Sequence, residues 1–122
     1  MVKSVIIICE DSPIGKNSVV ESIRMATGIL AVGDIEQCRM VLMGDAIYFL
    51  NKALNPEILN FDNYSNIIKL IEFSELEIYV LDKALEIAGI KQSDLISYNN
   101  IKVVNINEIS KLILEADICF KY

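Results

Sequence analysis

The sequence predicts a three-layer α/β/α fold built on a mostly parallel five-stranded sheet. Three observations carry that prediction. Short apolar runs alternate about five times with segments of helical spacing along the 122 residues. The first of these runs is rich in β-branched residues and almost continuously apolar, as in a strand covered on both faces. Glycine follows two of the helical segments directly, as helix ends commonly require, and no repeat or linker separates the units. The chain therefore reads as one domain, residues 1–122.

Residues 2–9, with Val5, Ile6, Ile7 and Ile8 at their centre, form the first strand. The cluster Asp11, Ser12, Pro13, Ile14, Gly15 and Lys16 is a turn, after which Asn17 or Ser18 caps a helix with Val19, Ile23, Ala26 and Leu30 on one face. Gly33 stops that helix, and residues 38–43 make the second strand. Gly44 and Asp45 open a segment over 46–54 with Ile47, Leu50 and Leu54 at helical spacing, which Asn55 and Pro56 end. Residues 60–64 read as loop, and Ser65 caps a helix carrying Ile67, Ile68 and Ile71. Residues 76–80 form a third strand that runs directly into a helical stretch, 82–88, closed by Gly89. Residues 92–100 are loop or short helix, and 101–104 a fourth strand. Asn107 caps a last helix with Ile109, Leu112 and Ile113 inward, and Ile118, Phe120 and Tyr122 alternate along a terminal strand.

Composition removes several classes of function. Eleven Lys and Arg against 17 Asp and Glu give a net charge of −6 and a pI near 4.6, the wrong sign for neutralising nucleic-acid phosphates. Histidine is absent, so imidazole bases and His-ligated metals are excluded. Three cysteines at wide spacing, without a CxxC pair, encode neither a disulfide framework nor a zinc site and suit free thiols in a reducing compartment. No metal and no cofactor is implied. Hydrophobic residues make up 53% of the chain and mean hydropathy is +0.42, an apolar excess that points to subunit contacts. The longest apolar runs, 5–9 and 46–50, are far short of the roughly 18 residues a bilayer span needs, and no secretion signal is recognisable. A cytoplasmic location without membrane attachment is expected.

In a parallel sheet the ligand crevice lies beyond the carboxyl ends of the strands, which directs attention to the loops after Cys9, Met43 and Val80. The first loop superficially resembles a phosphate loop, because Gly15 and Lys16 precede the helix start at Asn17. A P-loop, however, requires glycine where Glu10 stands and a hydroxyl where Asn17 stands. The match fails, and the loop reads as a capped turn. Asp45 suits the positive end of the following helix and also faces the crevice. Cys9 ends the first strand near helix N-termini, a setting that lowers a thiol pKa from about 8.5, while Glu10 and Asp11 act against that. Cys9 and Cys38 both sit in apolar strands, where cysteine behaves as a small buried hydrophobe. Cys119, on the face shared with Lys121, is the partly exposed thiol.

Taken in order, these segments resemble the DsrE/DsrF-like family of small sulfur-relay proteins, most closely its TusC/DsrF branch. The likeness rests on the Ser12-Pro13-x-Gly15 loop, the helix from Glu21 to the small and apolar residues 26–32, the run Gly44-Asp45-Ala46-Ile47-Tyr48-Phe49-Leu50, the strand-helix stretch 76–89, and the terminal strand 117–122. It implies cytoplasmic subunits that assemble as homo-trimers, homo-hexamers or hetero-oligomers of related chains and pass persulfide sulfur between cysteines. It also implies that the reactive cysteine of sulfur-carrying members falls about eight residues before the glycine ending the third-strand helix. Here that position is Leu81, and leucine has no nucleophile.

Three readings follow. The chain is a non-carrying subunit that shapes a crevice from Ser12, Gly15, Asp45 and Tyr48 beside Leu81. Alternatively, it is a sulfurtransferase using Cys9 or Cys119, or a nucleotide- or flavin-binding module whose Gly15-Lys16-Asn17 helix start holds an anion.

Overall fold

Five strands form one sheet: β1 (Ser4–Cys9), β2 (Gln37–Leu42), β3 (Glu77–Leu81), β4 (Ile101–Val104) and β5 (Ile118–Lys121). Their spatial order is β4-β3-β2-β1-β5, and every neighbouring pair is parallel. This architecture comes from a computed structural model that describes residues 2–54 and 64–122. The α-helices are α1 (Ser18–Val32), α2 (Ser65–Ser74), α3 (Asp82–Ala88) and α4 (Ile106–Glu115). Strands β1 to β4 are laid down in one direction, so right-handed crossovers place α1, α2 and α3 on the same face. The chain then returns past β1 to add β5, and α4 crosses the opposite face.

Each face has its own core, which explains the unbroken apolarity of the inner strands. Val5, Ile7 and Cys9 of β1, with Met40, Leu42, Ile78 and Val80, pack against Val19, Ile23 and Ala26 of α1, Ile67 and Ile71 of α2, and Leu85 of α3. On the other face Ile6, Val41, Tyr79 and Val104 meet Ile109, Leu112 and Ile113 of α4. Residues of one strand alternate between these cores, as the two-residue period of a strand requires. The positions expected inward on α4 are the ones that pack there.

Several boundaries differ from the sequence expectation. The segment 46–54 is not an α-helix: a 3₁₀ helix covers Gly44–Leu50 and ends there. Asn51 instead bridges antiparallel to Leu95, the Lys52 N–H donates to the Asp94 carbonyl at 2.9 Å, and the Ile96 N–H donates to the Leu50 carbonyl at 2.8 Å. Backbone partners distant in sequence outcompete the next helical turn. The cap of α4 is Asn105, whose side chain accepts from the Glu108 N–H at 2.9 Å, and not Asn107. Asn17 occupies the cap position of α1 without a side-chain bond, and Tyr64, not Ser65, that of α2. Asn55, Pro56 and the first four residues of the 60–64 loop lie outside the described residues. Gly33 and Gly89 end α1 and α3 in left-handed conformations as expected, whereas α2 ends on Glu75 at φ 56°.

Candidate functional site

All carboxyl ends of the strands lie along one edge of the sheet, because every pairing is parallel. At that edge the chain leaves β2 through Gly44, whose φ is +50°. The turn is tight enough that the Asp45 N–H donates to the Glu10 carbonyl at 3.1 Å, joining the β1 and β2 exits. The 3₁₀ helix that follows carries Asp45 and Tyr48 toward the start of α3.

Leu81 ends β3 and also occupies the cap position of α3, with extended backbone at φ −70° and ψ 123°. Between these elements lies a cleft of about 200 Å³, lined by Gly44, Asp45 and Tyr48 on one side and by Leu81, Lys83, Ala84, Ile87 and Ala88 on the other. Leu81 is half-buried. Ile87 stands 86% exposed at the mouth. Asp45 and Lys83 contribute one charge of each sign, and Tyr48 one hydroxyl, to an otherwise aliphatic wall. Such a cleft can enclose a small apolar or sulfur-bearing group and orient it by a few polar contacts. No cysteine lines it.

Asp45, Tyr48 and Leu81 are therefore brought together, while Ser12, Gly15, Lys16 and Asn17 lie outside this cleft. Those four belong to a loop bonded to itself and to the fold. The Ser12 hydroxyl accepts from the Ile14 N–H at 3.1 Å, and the buried Pro13 offers its carbonyl to the Tyr64 hydroxyl at 3.0 Å. The Ser18 hydroxyl donates to Asp11 Oδ2 at 3.2 Å, and Lys16 Nζ lies 3.6 Å from Asp11 Oδ1. The Lys16 ammonium and the Ser18 hydroxyl thus face the chain's own carboxylate.

The thiols are arranged differently from one another. Cys9 is completely buried, and burial pushes its thiol up, outweighing the hydrogen bonds from the Asp11 backbone and the Ser22 hydroxyl that favour the thiolate; the carboxylates of Asp11 and Glu10 act with burial. Cys38 is pushed up to about 11 by burial alone. Cys119 is exposed. It pairs with Ile6 in the middle of β5, and β1 and β2 intervene between it and β3. Cys119 is level with Glu77, four residues short of Leu81, so at about 4.8 Å per strand and about 3.3 Å per residue the two lie roughly 20 Å apart.

The sequence profile of the DsrE/DsrF-like family matches residues 3–122. The chain belongs to the DsrE/DsrF-like family. Among solved structures, this DsrE/DsrF-like chain is similar to the ychN protein from E. coli at 19% identity and a TM-score of 0.78, over 100% of both chains. It is also similar to the protein of unknown function MTH1491 from Methanobacterium thermoautotrophicum, at 17% identity and a TM-score of 0.68, again over 100% of both. At these identities the likeness is one of fold. No curated protein matches the chain. No helix among the described residues is long and apolar enough to cross a membrane.

Sequence reasoning overlooked the α3 wall of the cleft. Ala84, Ile87 and Ala88 follow Leu81 at the spacing of one helical stripe. That signal was present in the residues once Leu81 was recognised as the helix start.

Proposed function

We propose that this DsrE/DsrF-like chain is a non-carrying subunit of a cytoplasmic sulfur-relay assembly, of the TusC/DsrF kind. It works as a homo-trimer or homo-hexamer, or with related subunits, and presents the Leu81 cleft to a sulfur-bearing cysteine supplied by another chain. The observation that carries this reading is Leu81 itself. It stands at the strand-helix junction of the cleft, where the family resemblance implies the reactive thiolate of a carrying subunit.

Persulfide transfer requires an acceptor thiolate to attack the outer sulfur of the donor, so that a new S–S bond forms while the old one breaks and the donor leaves as a thiolate. Leu81 cannot attack, and the buried thiols of Cys9 and Cys38 are held protonated. What the cleft supplies is an aliphatic pocket for a reactive sulfur, with Asp45 and Tyr48 beside it to position the group that bears it; the Lys83 ammonium is paired with Glu86 at 3.2 Å.

The test is sulfur uptake from glutathione persulfide, read by peptide mass spectrometry. The native chain should gain no sulfur at Cys9 or Cys38 and should gain it at Cys119 no faster than free cysteine does, whereas Leu81→Cys should gain it at residue 81. Rapid loading of Cys119 in the native chain would overturn the reading. It would favour the sulfurtransferase alternative, which the exposure of that thiol supports.

A further inference from the structure

The two walls of the Leu81 cleft differ in character. The α3 wall is aliphatic, with Leu81, Ala84, Ile87 and Ala88 along it. The opposite wall is the 3₁₀ helix Gly44–Leu50. Side chains three residues apart eclipse one another on such a helix, so Asp45 and Tyr48 stand one above the other, and both line the cleft.

These two polar groups are unengaged. Among the described residues no cation pairs with the Asp45 carboxylate, and no hydrogen bond engages it or the Tyr48 hydroxyl. The Lys83 ammonium lines the same cleft, but it stands 3.2 Å from a Glu86 carboxylate oxygen, and those two charges offset each other. The charge left over at the cleft is the negative one of Asp45, in a chain whose net charge is −6.

We infer that the cleft selects its partner by charge: the segment that brings the sulfur carries an arginine or lysine beside its cysteine, and that basic side chain seats on Asp45 and Tyr48. A guanidinium answers both groups at once, donating to the carboxylate and lying over the phenol ring. The cysteine next to it then falls toward the aliphatic wall at Leu81. A segment with an acidic residue in that place would set like charges together, which costs affinity and rejects the wrong partner. Asp45 and Tyr48 are thereby specificity-determining residues. The inference rests on the reading that another chain delivers sulfur to this cleft, and it adds which chains can do so.

The experiment is an NMR titration of the isotope-labelled full chain, at about 20 mM salt, with short synthetic peptides. Each peptide contains a single S-methylcysteine, which cannot exchange with Cys119, flanked on both sides by arginine, glutamine or glutamate. The arginine peptide should shift the amide resonances of residues 45–48 and 81–88 and bind at least about tenfold more tightly than the glutamate peptide, with the glutamine peptide between them. Raising the salt to about 0.5 M should shrink that ratio. Asp45→Asn should remove most of the preference for arginine over glutamine, and Asp45→Lys should reverse the order of the three. Glu36→Gln removes one exposed carboxylate at the opposite, amino end of β2 and should leave the order unchanged. Asp45 is exposed, so the variants should melt with the native chain. Equal affinities, a preference for glutamate, shifts confined to other surfaces, or no binding of any peptide at about 1 mM would each overturn the inference. None of these outcomes touches sulfur uptake by Leu81→Cys, which tests the underlying reading separately.

Discussion

The Glu10 carbonyl oxygen stands 3.0 Å from the position a Cβ on Gly44 would occupy. This close approach joins the exits of β1 and β2 and sets where the wall of the cleft begins. Gly44 also has φ +50°, so a side chain there meets both a backbone clash and a left-handed conformation. Gly44→Ala should cost about 1–3 kcal/mol, measured by urea denaturation. A loss under about 0.5 kcal/mol would show that the turn relaxes easily.

Glu75 presents the opposite case. It holds φ 56° at the end of α2 with a side chain that this conformation disfavours. Glycine at that position should stabilise the protein by about 0.5–1 kcal/mol. Thermal unfolding of Glu75→Gly reads this directly, and an unchanged or lower melting temperature refutes it.

The cap of α4 discriminates between two asparagines two residues apart. Asn105 accepts the Glu108 N–H through its side chain at 2.9 Å, so Asn105→Ala should lose about 1 kcal/mol. Asn107 is exposed inside the first turn, and Asn107→Ala should change stability by less than about 0.5 kcal/mol. Equal effects of the two substitutions in chemical denaturation would contradict the observed cap.

Alkaline pH should weaken the fold through its buried thiols. Burial pushes Cys38 up to about 11 from an ordinary 9.0. In the unfolded chain that thiol ionises from pH 9 upward, while in the folded chain it stays neutral. Its contribution is fully present below pH 9 and is lost between pH 9 and 11, a loss on the order of 2–3 kcal/mol. Cys9 is shifted the same way and adds to the fall. Stability measured from pH 8 to 11 should therefore decline, and less steeply in Cys38→Ala. Parallel slopes for the two proteins would assign the decline to other groups.

Much of the fold was legible because burial and secondary structure leave periodic marks on residue type. β1 and the helix carrying Val19, Ile23 and Ala26 are examples, since a parallel sheet needs strands apolar on both faces and helices apolar on one. The end of the Gly44–Leu50 helix was not legible. It is decided by hydrogen bonds to residues 94–96, and nothing local to 46–54 announces them. The cap of α4 was misplaced by two residues, because Asn105 and Asn107 have the same side chain and only backbone geometry shows which one meets a free N–H.

The site divides along the same line. The residues alone determined that no imidazole is available, that three thiols are, and that leucine stands where the family resemblance implies a sulfur nucleophile. Those are matters of chemical identity, and folding does not alter them. Only the tertiary structure decided that Leu81 shares a cleft with Asp45 and Tyr48 while Ser12, Gly15, Lys16 and Asn17 lie outside it, and that Cys9 is sealed while Cys119 is open. Proximity and solvent access are set by how separate βα units stack across the sheet, and contacts between residues far apart in sequence leave no periodic trace in it.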